Sequence, residues 1–129
     1  MLFDDMLEEH RTAGVSLRNG MRDQVQLITP AFATQRCCAL GRWIHESSAG
    51  WDDISEFQQL KMAHMSFHTI ALVIAVFIKQ RRVADATSML EPDSMFESAM
   101  HILSNATLLF EKRRASNISS ISVQHHTLQ

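Results

Sequence analysis

His64 and His68 stand four residues apart in a strongly apolar stretch. On a helix that spacing projects both imidazoles from one face, one turn apart, which is the usual spacing of two ligands to one transition metal. In a chain with seven histidines such a pair is more often solvated than metal-bound. Its company argues for more: Phe57, Leu60, Phe67, Ala71 and Ala75 fall on the same side. Two imidazoles buried there without partners would cost on the order of a few kcal/mol. His10 is a similar oddity, the polar member of a stripe formed by Phe3, Met6, Ala13, Leu17 and Met21. Its ordinary reading is a core histidine bonded to a carbonyl. The only cysteines, Cys37 and Cys38, are adjacent. A disulfide between neighbours is badly strained, so a metal or redox role suits at least one thiol better.

The elements that must position these groups are helical. A chain of 129 residues suits one domain, and 46% apolar residues suffice for a core without disulfides. Four Gly, two Pro, eight Met and no Tyr favour helix over sheet. The first helix is expected over Phe3 to Gln26, with Thr29-Pro30 ending or following it. A short helix is expected over Arg36 to His45, then a loop over Glu46 to Gly50. A long helix should run from Ile54 to Arg82; from Ile70 onward it is apolar nearly all round, as for a buried helix or one carrying a second interface. A weaker segment, Val83 to Leu90, precedes Pro92, which suits the first turn of a final helix with Asp93 near its positive end. That helix carries Phe96, Met100, Leu103, Ala106 and Phe110 at bundle spacing and is expected to reach Arg114. The pattern predicts an all-α protein, a four-helix bundle with an additional short helix carrying the cysteines. Its domain is 1–114, followed by a flexible polar tail over 115–129.

Charge narrows the function classes. Lys and Arg total 12 against 14 Asp and Glu, a formal charge of -2, which leaves no basic excess for a nucleic-acid backbone. The pairs Arg81-Arg82 and Arg113-Arg114 fall at expected helix ends, where the helix dipole favours cations. The N-terminus is acidic and lacks the charge pattern of a signal peptide. The most apolar run, Ile70 to Ile78, is far shorter than the roughly 20 residues that span a bilayer. The expectation is a cytoplasmic protein with no nucleic-acid or membrane partner.

The segment Arg36-Cys37-Cys38-Ala39-Leu40-Gly41-Arg42-Trp43 resembles the R-x-C-x-L-G-x-W signature of the chemoreceptor zinc-binding (CZB) domain family. In that family the signature Cys joins one upstream His on the first helix and an H-x-x-x-H pair on a later helix to bind zinc. The resemblance therefore implies a ligand set of His10, Cys38, His64 and His68, in the family's order, within a helical layout spanning Met1 to Arg114. Family members often carry an aromatic residue shortly after the first His and another directly after the signature Trp; here those places hold Ala13, Gly14 and Ile44. Cys37 is rotated about 100° from Cys38 on a helix, so both thiols do not suit one ion, and the signature's register selects Cys38. Gly41 and Trp43 read as packing residues that let the short helix approach and anchor it.

Three neutral imidazoles and one thiolate form a closed tetrahedral shell that suits zinc, whereas hard cations prefer oxygen. Catalytic zinc keeps an open position for water; with Cys38 bound there is none, so no enzyme activity is expected. The resemblance implies a regulatory role in bacterial signalling, with zinc as cofactor. It also implies a homodimer and a chemoreceptor or diguanylate cyclase as signalling partner. The alternatives are a structural zinc-stabilised dimerisation module, and a zinc hydrolase using His10, His64 and His68 with Cys38 uninvolved.

Overall fold

The structure, a computed structural model, describes residues 3–23 and 38–127, with side chains over 3–20 and 38–116. The described residues form five helices and no strand: α1 (Phe3–Asp23), α2 (Ala39–Trp51), α3 (Ser55–Lys79), α4 (Val83–Leu90) and α5 (Met95–Thr127). The α3 helix packs chiefly against α5, and α1 lies against both. The α2 helix touches α1 and α3, while α4 touches all three long helices.

The apolar stripes explain this packing. Phe3, Met6 and Leu17 of α1 are buried, with Ala13 packed against them. So are Phe57, Leu60, Phe67, Ala71 and Ala75 of α3 and Phe96, Met100, Leu103, Ala106 and Phe110 of α5. Phe110 is an aromatic hub, with ring centroids 6.1 Å from Phe3, 5.6 Å from Trp43, 5.3 Å from Trp51 and 5.6 Å from Phe57. Those rings belong to α1, α2 and α3, so one side chain of α5 joins four helices. Trp43, half-buried, also meets Phe3 edge-on at 5.0 Å, and this anchors α2.

Three local expectations are corrected. Glu46 to Gly50 is helix, not loop: α2 continues to Trp51, whose ring packs on Phe110. The Asp52 N–H donates to the Ser48 carbonyl at 2.9 Å and closes the last turn. Tertiary anchoring by Trp51 outweighs the weak helix preference of Ser and Gly. Pro92 is not in the first turn of the last helix. Asp93 adopts φ 62°, which an α-helix excludes, so Glu91 to Ser94 form a turn and α5 starts at Met95. Ser94 fixes that turn by donating from Oγ to the Met89 carbonyl at 2.6 Å. Finally, α5 passes Arg114 and reaches Thr127, because Ala115 to Thr127 contains no Gly or Pro to stop it. The end of α1 beyond Asp23, Thr29-Pro30, Arg36 and Cys37 lie outside the described residues, as does the Met21 side chain.

The α3 helix alone among those described is long and apolar enough to cross a membrane by length and composition, with a mean hydropathy of 1.6 over its most apolar window. A core helix passes the same test, and α3 buries a full stripe from Phe57 to Ala75. Its other side exposes Met62 and Met65 and, beyond Ile70, Val73 and Val76, the last two accounting for the all-round apolar character read there.

Candidate metal centre

Two helices and the N-cap of a third bring the chemistry-bearing residues together. His10 comes from the inner stripe of α1, and His64 and His68 from successive turns of α3. Cys38 stands immediately ahead of α2 as its N-cap, with extended backbone angles φ -99° and ψ 160°. In that position its sulfur accepts the Gly41 N–H at 3.2 Å. Thiolate character at a helix N-terminus is favoured by the aligned peptide dipoles. The backbone geometry that starts α2 thus also aims the sulfur inward.

The four groups converge. One ligand atom from each lies within 4.8 Å of the others, and all four residues are buried. The Cys38 Sγ lies 3.6 Å from His10 Nε2, 3.0 Å from His64 Nε2 and 3.4 Å from His68 Nε2. Around a zinc ion bonded at ~2.3 Å to sulfur and ~2.0 Å to nitrogen, tetrahedral corners S and N are about 3.5 Å apart. The sulfur-to-nitrogen distances and the donor types therefore fit a four-coordinate ion. The three imidazole rings stand steeply inclined to one another, at centroid distances of 4.4 to 5.3 Å.

Tautomers follow from the surroundings. His10 donates from Nδ1 to the Met6 carbonyl at 2.7 Å, leaving the Nε2 lone pair for the centre. That is the usual way a protein orients a metal-binding imidazole. Phe67 meets the His10 ring edge-on at 4.9 Å. The Nδ1 of His68 is buried and has no hydrogen-bond partner among the described residues.

Electrostatics suit a cation. Burial lowers the His10 pKa, against a smaller opposing effect of its bond to Met6. Burial, then repulsion from His68 and His10, lowers His64 to about 3. Burial, then repulsion from His10, lowers His68 to about 4. All three rings are neutral near pH 7, the form that ligates metals. Burial pushes the Cys38 thiol up, although the Gly41 N–H pulls it down. The thiolate needs a cation beside it, so binding a metal releases the Cys38 proton.

All four residues singled out from the sequence meet here. The supporting contacts, the Met6 carbonyl and the Phe67 ring, were not identified there. A carbonyl partner for His10 was the ordinary reading of that residue; that the carbonyl is Met6, one turn earlier, and that the same ring also faces the cluster, the structure shows. No carboxylate joins the cluster among the described residues. No protein-family model, curated protein or solved structure matches the chain.

Proposed function

We propose that this protein is a zinc-binding regulatory module of the CZB kind, its ion held by His10, Cys38, His64 and His68. The observation that carries this reading is the convergence of those four buried groups, their ligand atoms within 4.8 Å of one another and the sulfur 3.0 to 3.6 Å from each Nε2. The signature around Cys38 adds the family. On this reading the helices form a four-helix bundle over 1–114, with Cys38 delivered by the short helix it caps and α5 continuing past the bundle's last residue. The protein is cytoplasmic and dimeric, and it signals through a chemoreceptor or diguanylate cyclase. Because the protein supplies all four donors, the ion has no open position for substrate water, and the role is not catalytic.

The ion ties α1, α3 and the start of α2 together. Zinc that binds only the ordered arrangement stabilises it by about 2.7 kcal/mol at a hundred times its dissociation constant. That shifts a two-state equilibrium roughly a hundredfold, which a docked partner reads. Protein purified without a His tag should carry one zinc per chain, and Cys38→Ala should bind it far more weakly. Unchanged affinity in Cys38→Ala would sink this reading and return the hydrolase alternative. Burial of the four donors also favours a structural ion. The two separate by chelation: a sensor loses zinc reversibly while keeping most of its helicity, whereas a structural site loses zinc only as the protein unfolds.

A further inference from the structure

We propose that Phe67, backed by Phe96 seated on Gly14, is the positioning residue that sets the His10 and His68 rings for the metal. The inference rests on the metal-site reading above. Phe67 is 1% exposed. Its ring centroid lies 4.9 Å from His10 and 5.7 Å from His68, both at steep interplanar angles. It thus touches ligands delivered by two different helices. A metal-binding imidazole is normally oriented by a hydrogen bond from its second nitrogen. His10 has that bond, to Met6; the second nitrogen of His68 has none. Packing is what remains to fix the His68 ring: the His64 and His10 rings lie 4.4 and 5.3 Å from it, and Phe67, at 5.7 Å, is the contact that is not itself a ligand.

Phe67 is itself held from behind. Phe96, near the start of α5, lies 5.3 Å from it, centroid to centroid. Phe96 reaches that place because α1 has no side chain at Gly14. A Cβ there would stand 2.8 Å from Phe96 Cε1 and 3.2 Å from Cζ, closer than packed atoms tolerate. Gly14 is one turn beyond His10 on the same helix, so the ring and the ligand occupy successive turns of α1. Arg18, one further turn on, closes the arrangement. Its Nη2 donates to the Leu90 carbonyl at 2.8 Å and pairs with Glu97 at 3.5 Å. The start of α5 is thereby pinned beside the ring that backs the metal ligands.

Zinc affinity and cobalt(II) spectra of the full chain test this. With wild type binding one zinc, Phe67→Leu and Phe96→Leu should each weaken binding about tenfold, the size of one or two aromatic contacts. The cobalt(II) d–d bands should shift in both. Gly14→Ala should weaken binding similarly alone, and far less in a Phe96→Leu background, since the clash is with the missing ring atoms. A merely structural role would lower the melting temperature of the metal-free variants and leave zinc affinity and spectra unchanged, and that result overturns the proposal. Additivity of Gly14→Ala and Phe96→Leu overturns the wedge. If Phe67→Leu does not fold, Phe96→Leu and the Gly14 pair decide alone. Failure of wild type to bind zinc would instead bring down the metal-site reading beneath.

Discussion

At the scale of single residues, the four donors are held unequally. His10 is fixed by the Met6 carbonyl and Cys38 by the Gly41 N–H, while His68 presents a buried second nitrogen without an acceptor. When His68 ligates through Nε2, its Nδ1 carries a proton with nowhere to go, at a cost of about 1–3 kcal/mol. His68→Ala should therefore lose less zinc affinity than His10→Ala, by roughly tenfold or more, in competition titrations with a chromophoric chelator. Equal losses would mean that the unmet N–H carries no penalty. Proton linkage gives a second expectation, for chelator-treated protein. The unfolded chain protonates its imidazoles near pH 6.5, whereas burial lowers His64 to about 3 and His68 to about 4. Between those values the unfolded state binds more protons, so stability falls as pH falls below 6.5. The slope is on the order of 1.4 kcal/mol per pH unit for each imidazole that stays neutral. Denaturant midpoints measured from pH 7 down to pH 4 should show it, and His64→Gln should flatten the curve.

Among the elements, α2 is the one that tertiary contacts hold. Its Ser, Gly and His residues favour helix weakly, yet it persists to Trp51 because Trp43 and Trp51 both dock on Phe110. Cys38 caps this same helix, so loosening α2 should move the sulfur. Phe110 is fully buried; Phe110→Ala should cost about 3–5 kcal/mol of stability and should weaken zinc binding, although Phe110 has no ring contact with any ligand. Urea unfolding and zinc titration of that variant check both. An unchanged zinc affinity would show that α2 and the metal centre are uncoupled.

For the whole molecule, an ion held by these four donors would be a cross-link between distant parts of the chain. His10 and His68 are nearly sixty positions apart, about the separation at which loop-closure entropy is already large. With zinc at about a hundred times its dissociation constant, the melting temperature should rise by roughly 10 °C. Chelator should reverse the rise, and Cys38→Ala should abolish most of it. Calorimetry with and without zinc reads this directly.

Much of this was legible in the residues themselves. Helix type and the buried faces of α1, α3 and α5 follow from period and residue chemistry, because a stripe of apolar residues has only one way to face a core; the set of four donors came from the resemblance to the CZB signature. The signature around Arg36 to Trp43 selected Cys38 where spacing alone left two thiols open. What tertiary structure decided was where chain-local preference and long-range packing disagree. Local sequence breaks the chain at Glu46 to Gly50, but Trp51 on Phe110 keeps it helical. Local sequence puts Pro92 in a helix, but the left-handed Asp93 makes it a turn. The ring behind the ligands, Phe96, lies over eighty residues from His10; no local pattern encodes it, since contacts between distant segments exist only once the helices have packed.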